Sequence, residues 1–80
     1  KRVSLSSKEA LVMEYLMRNA PLACDKQAII VSAWGFETEA QDNNVEVYVS
    51  FLRKKLLHID SNCHIETVRG IGYRLEEKHV

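Results

Sequence analysis

The sequence predicts a mainly α domain with a small β component: three helices, a short strand after the first, and a C-terminal β-hairpin. Three observations predict it. Asp42 to Leu57 has helical periodicity, with Val45, Tyr48, Val49, Leu52 and Leu56 on one face. Ahead of it stand two further segments with helix start signals, opening at Ser6 and Asp25. Behind it, Ile65 to Val68 alternates, Gly70-Ile71-Gly72 turns, and Tyr73 to Leu75 returns.

Each element has a local reason. Lys1 to Leu5 is a short stub compatible with the end of a strand. Ser6 and Glu9 have capping-box spacing, and Leu5 with Ala10 suits a hydrophobic staple. The helix that follows carries Ala10, Leu11, Val12, Met13, Tyr15, Leu16 and Met17 almost all round its axis, which predicts a central, buried helix. Glu14 and Arg18, at i,i+4, mark its wet strip. Pro21 cannot continue the helix, and Leu22-Ala23-Cys24 fits a short strand. Asp25 caps a second helix from Lys26 to about Trp34, with Ile29, Ile30 and Ala33 inward and Gly35 closing it. Phe36 to Gln41 reads as an acidic loop.

The third helix opens at Asn43, with Glu46 completing a capping box, or at Asp42. Its second face holds Asn43, Asn44, Val47, Ser50, Phe51 and Lys54. That face is too polar for a core, and the rest of the chain looks built to hold it outward. His58 to His64 reads as a polar connection and Glu76 to Val80 as a frayed tail. The order helix, strand, helix, loop, helix, hairpin is that of a winged helix-turn-helix.

Composition excludes several classes. The 80 residues, 46% hydrophobic and 28% charged, make one folded domain rather than a disordered chain. No apolar run approaches the roughly 20 residues of a membrane span. Net charge is zero, yet the charge is segregated. Five bases stand between Arg53 and Arg74 against Asp60 and Glu66, while Glu37 to Glu46 holds four acids and no base. Such segregation allows a cationic face on a neutral domain. No Ser/His/carboxylate arrangement or phosphate-binding glycine loop is present, so neither an enzyme nor a cofactor is expected. Cys24, Cys63, His58 and His64 match no zinc spacing; Cys24 reads as a core residue and Cys63 as a loop thiol, with no disulfide and no metal expected.

One stretch is more specific. Thr67-Val68-Arg69-Gly70-Ile71-Gly72-Tyr73-Arg74-Leu75 closely resembles the wing of the OmpR/PhoB-type effector domain of bacterial response regulators. The resemblance runs from Leu5 to Leu75 and includes Leu5-Ser6-Ser7-Lys8-Glu9, Trp34-Gly35, Val45 to Val49 and Leu52 to Leu56. It implies duplex-DNA binding for transcription in the cytoplasm, with helix 43–57 in the major groove and wing 65–75 at the minor groove. Trp34, Asn43, Asn44, Tyr48 and Arg53 then match phosphate-contacting positions, Thr67 and Tyr73 wing positions on the backbone, and Arg69 the minor-groove arginine. Val47, Phe51 and Lys54 complete the groove-facing set. The resemblance further implies head-to-tail pairing on direct repeats and an approach to RNA polymerase by the loop holding Gly35, Phe36, Glu37 and Glu39. It also implies that residues 1–80 are a fragment, lacking a phosphoacceptor receiver domain and most of an N-terminal sheet.

Family members often carry arginines where this chain has Asn43, Ser50 and Phe51, so their base preference does not transfer. Dull readings stand beside the sharp ones. Trp34 fits a core aromatic equally well, an acidic loop is common on any surface, and Lys54-Lys55 fits a solvated helix end. Phe51 fits a residue folded back on the core, a contact to thymine methyls, or the centre, with Val47, of a protein-binding patch. The last makes the domain a protein-interaction module instead.

Overall fold

The computed structural model describes residues 2–77. Helix α1 spans Ser7–Asn19, strand β1 Cys24–Asp25, helix α2 Lys26–Trp34, helix α3 Asp42–His58, strand β2 Cys63–Val68 and strand β3 Gly72–Glu77. The strands form one antiparallel sheet in the order β1-β3-β2, so the hairpin is extended by the short strand ahead of α2.

The local start signals at Ser6 and Asp25 act as read. Ser6 Oγ accepts from the Glu9 amide at 3.2 Å, and Glu9 Oε1 accepts from the Ser6 amide at 2.7 Å. Asp25 Oδ1 accepts from the Ala28 amide at 2.7 Å, and α2 stops at Gly35. Helix α3 differs. It begins one residue before Asn43, with Gln41 as the cap residue, and Asn44 Oδ1 accepts from the Gln41 amide at 2.8 Å. Glu46 is not available for capping because Lys26 Nζ draws it to 3.0 Å.

Each helix gives its apolar strip to one core. Val12, Leu16, Ile29, Ile30, Val45, Val49 and Leu52 are essentially sealed from solvent. Each contributes about 1.5–3 kcal/mol relative to exposure. Ile65, Tyr73 and Leu75 close the core from the sheet, and Cys24 fills its edge as a free thiol.

Several expectations are corrected. Helix α1 is not buried all round: Leu11 is 40% and Met17 59% exposed. Glu9, Val12 and Leu16 are its fully buried residues, with Met13 and Tyr15 half-buried beside them, because α2 and α3 cover one side. Residues 2–6 form no strand. Strand β1 lies at Cys24–Asp25, leaving Leu22 exposed. Cys63 and His64 belong to β2 rather than to a loop, since they pair with Glu77 and Glu76. Glu76 and Glu77 are therefore strand rather than frayed tail; residues 78–80 lie outside the described residues.

Two glycines set the wing. Gly70 has φ 78° inside the turn closed by the Ile71 amide on the Val68 carbonyl at 3.0 Å. With Arg69 at negative φ this is a type II geometry, which favours glycine at that position. At Gly72 a Cβ would run into the Cys24 carbonyl oxygen, so only glycine lets β1 dock on β3.

Candidate nucleic-acid interface

Burial of Val45, Val49 and Leu52 fixes the roll of α3, and that roll leaves Asn43, Asn44, Val47, Ser50, Phe51 and Lys54 exposed. The Asn44 carbonyl oxygen serves the helix start, so its amide nitrogen is the group free for a ligand. Val47 is 47% and Phe51 43% exposed, a half-open apolar pair one turn apart.

Behind this face runs a ladder of rings. Trp34, the last residue of α2, meets Tyr48 edge-to-face with centroids 5.4 Å apart at 76°. Tyr48 in turn meets Phe51 at 5.7 Å and 76°. Such pairs are worth about 0.5–1.5 kcal/mol beyond their burial. Lys8 Nζ lies 5.3 Å from the Trp34 ring centroid and donates to the Ala33 carbonyl at 2.9 Å. Trp34 is legible in the sequence as a candidate contact, whereas Lys8 is not. The contact spans 25 positions, and the only local signal is the Ser-Lys-Glu opening of α1.

Arg53 has a structural task. Its Nε and Nη2 donate to the Ile65 carbonyl at 3.0 and 2.8 Å, and Nη2 also reaches Thr67 Oγ1 at 2.9 Å. Its guanidinium carbon lies 5.6 Å from the Tyr73 ring centroid. The helix is thereby laced to the wing through neutral acceptors, and no carboxylate among the described residues pairs with the positive charge. Tyr73 itself is only 5% exposed. Its ring is part of the core, packed beneath Arg53 and with Lys26 Nζ at 5.9 Å, rather than a free group on the wing surface. Thr67 is exposed beside it.

Arg69 projects at the hairpin tip beside Ile71, which is 52% exposed. Among the described residues, neither Arg69 nor Lys54 has a hydrogen-bond or ion-pair partner. Other cations are committed. Lys55 Nζ meets Glu9 Oε1 at 2.6 Å and the Ser4 carbonyl at 2.6 Å. The Lys55 hydrogen bond, assisted by Ser6, holds the buried Glu9 carboxyl below its usual range against the opposing effect of burial. Glu46 keeps Lys26 protonated more firmly than usual. Arg74 Nη2 bridges Glu66 at 3.1 Å and Glu76 at 3.0 Å on the open face of the hairpin. His64, Glu66 and Glu76 offer ligand atoms within 4.8 Å of one another, but Arg74 already supplies the balancing charge there.

The loop after α2 stands apart from this face in character. Phe36 is 88% exposed, Glu37 and Glu39 are exposed, and Gly35 is half-buried at the helix end. No helix among the described residues is long and apolar enough to cross a membrane.

Three helices with a laced hairpin wing define a winged helix-turn-helix. The family profile described as "Transcriptional regulatory protein, C terminal" matches residues 1–75, and the chain belongs to that family. It is 45% identical over 76 residues to the transcriptional regulatory protein DltR of Streptococcus agalactiae, covering 95% of this chain and 34% of that protein. The chain thus spans about a third of the relatives it matches. Its backbone is similar to the DNA-binding domain of Bacillus subtilis CssR, with TM-score 0.80 and 26% identity over 92% of this chain and 80% of that one. It is also similar to the Klebsiella pneumoniae RstA DNA-binding domain in complex with its RstA box. There the TM-score is 0.74 and the identity 33%, over 90% of this chain and 72% of that one.

Proposed function

We propose that this domain binds duplex DNA sequence-specifically, as the output domain of a phosphorylation-controlled response regulator in the cytoplasm. The observation that carries the reading is the outward face of α3, framed by cations that no carboxylate among the described residues neutralises: Lys8, Arg53, Lys54 and Arg69. In this reading α3 enters the major groove through Asn43, Asn44, Val47, Phe51 and Lys54. Trp34 and Tyr48 lie against the flanking phosphates with Lys8, and Arg69 enters the minor groove. Arg53, with Thr67 and the buried Tyr73, holds helix and wing at the separation of two neighbouring grooves.

The similar RstA domain, solved in complex with its RstA box, supports this class over a protein-interaction module built on Val47 and Phe51. Two finer steps belong to the same reading. Two copies bind head-to-tail on direct repeats, and the Gly35, Phe36, Glu37, Glu39 loop meets a basic surface of RNA polymerase. The exposed Phe36 ring, followed by the acids Glu37 and Glu39, favours a protein there rather than a phosphate. Duplexes enriched from a random pool test the proposal: two half-sites about one helical turn apart should bind more tightly than one. Equal affinity for enriched and scrambled duplexes overturns sequence specificity.

A further inference from the structure

We infer that Phe51 reads thymine through its 5-methyl group, which makes it a specificity-determining residue of this chain; the inference rests on the DNA-binding reading above. An exposed phenylalanine on a polar helix face costs solubility, and this one is neither folded into the core nor free. At 43% exposure it presents part of its ring to solvent, while the other part rests edge-to-face on Tyr48 at 5.7 Å. Tyr48 is itself fixed by Trp34 at 5.4 Å, so the ring is held before any ligand arrives. Little rotamer entropy is then lost on contact.

The chemistry of the neighbours selects the target. The Phe51 ring offers no hydrogen-bond donor or acceptor, so it cannot satisfy the polar edges of guanine, cytosine or adenine in the major groove. Only thymine shows an apolar group there. Val47, one turn earlier and 47% exposed, extends the apolar strip toward the helix start. Lys54, three positions on, has no partner among the described residues and remains free for the backbone alongside. A protein-binding patch needs a wider apolar surface than this pair, which Asn43, Asn44 and Ser50 border with polar groups.

The test replaces thymine by uracil, which deletes the methyl and nothing else. The protein and its Phe51→Ala and Phe51→Leu variants are titrated with a pool-enriched duplex and with copies carrying uracil at single positions. For the unaltered protein, uracil at one or two positions should weaken binding about four-fold, the equivalent of one buried methyl at ~0.8 kcal/mol. That difference should vanish in Phe51→Ala and persist in part in Phe51→Leu, which keeps an apolar side chain and decides the matter if the alanine variant unfolds. Indifference of the unaltered protein to uracil, or a thymine preference that survives Phe51→Ala, overturns the inference while leaving DNA binding intact. Absence of salt-dependent binding to every duplex overturns the DNA reading itself, and this inference with it.

Discussion

Arg53 places two nitrogens on the carbonyl oxygen of Ile65, at 3.0 and 2.8 Å, and so fixes the distance between α3 and the wing. A fork of two parallel donors is a property of guanidinium that an ammonium lacks. Arg53→Lys is therefore expected to behave closer to Arg53→Ala than to the parent. Either change should cost on the order of 1–3 kcal/mol, the range for a hydrogen bond from a charged group to a part-buried acceptor. Faster amide exchange confined to β2 and β3 checks it; uniform loss across the domain speaks for general destabilisation instead.

The Glu9–Lys55 pair makes stability depend on acid pH. Glu9 has a folded-state pKa below its unfolded value, so its contribution is complete above about 4.3 and is lost as pH falls through the folded value. Melting temperature should fall in that window for the parent and fall less for Glu9→Gln. At neutral pH Glu9→Gln should cost about 1–3 kcal/mol, because the 2.6 Å hydrogen bond from Lys55 loses its ionic partner and a nearly buried amide NH2 takes the place of a carboxylate oxygen. Parallel acid profiles for the two proteins would show that the pair contributes nothing.

Gly72→Ala and Gly70→Ala should separate two uses of glycine. At Gly70 a Cβ meets nothing within 4 Å, but φ 78° is strained for alanine, a cost of about 1–2 kcal/mol. At Gly72 the new methyl meets the backbone of Cys24 and Asp25, and the backbone must shift. That variant should be the less stable and should lose protection at the β1–β3 pairing. Chemical denaturation of both checks the order.

Arg69→Ala should weaken binding by about 1–3 kcal/mol on a duplex with an A·T-rich flank, and by less on a G·C-rich flank. A narrow A·T minor groove concentrates negative potential, and the Arg69 guanidinium at the wing tip has no partner among the described residues. Equal losses on both flanks make it an ordinary phosphate contact.

What was legible in the sequence was local or periodic. Ser6 with Glu9, Asp25 before Ala28 and the Val45, Val49, Leu52 strip each depend on residues within about two turns. What was not legible depends on distant partners. Lys55 reads as a solvated helix end until α1 brings Glu9 to it across 46 positions. Glu46 reads as half of a capping box until α2 presents Lys26. Cys63 and His64 carry no strand pattern of their own; pairing with Glu77 and Glu76 makes them strand. The interface shows the same division. The outward face of α3 and the Arg69 tip followed from pattern, whereas the lacing role of Arg53, the burial of Tyr73 and the place of Lys8 needed the fold.

The most direct measurement is the salt dependence of affinity for a single half-site. Among the described residues, the four cations Lys8, Arg53, Lys54 and Arg69 stand around the α3 face without a carboxylate partner. Counterion release by four positive charges brought against the duplex gives a slope of log K against log salt of about −3 to −4. Lys54→Ala or Arg69→Ala should each make it shallower by about one. A flat response, or a slope that neither substitution changes, contradicts a phosphate-framed groove reader and returns Val47 and Phe51 to the surface of a protein-binding module.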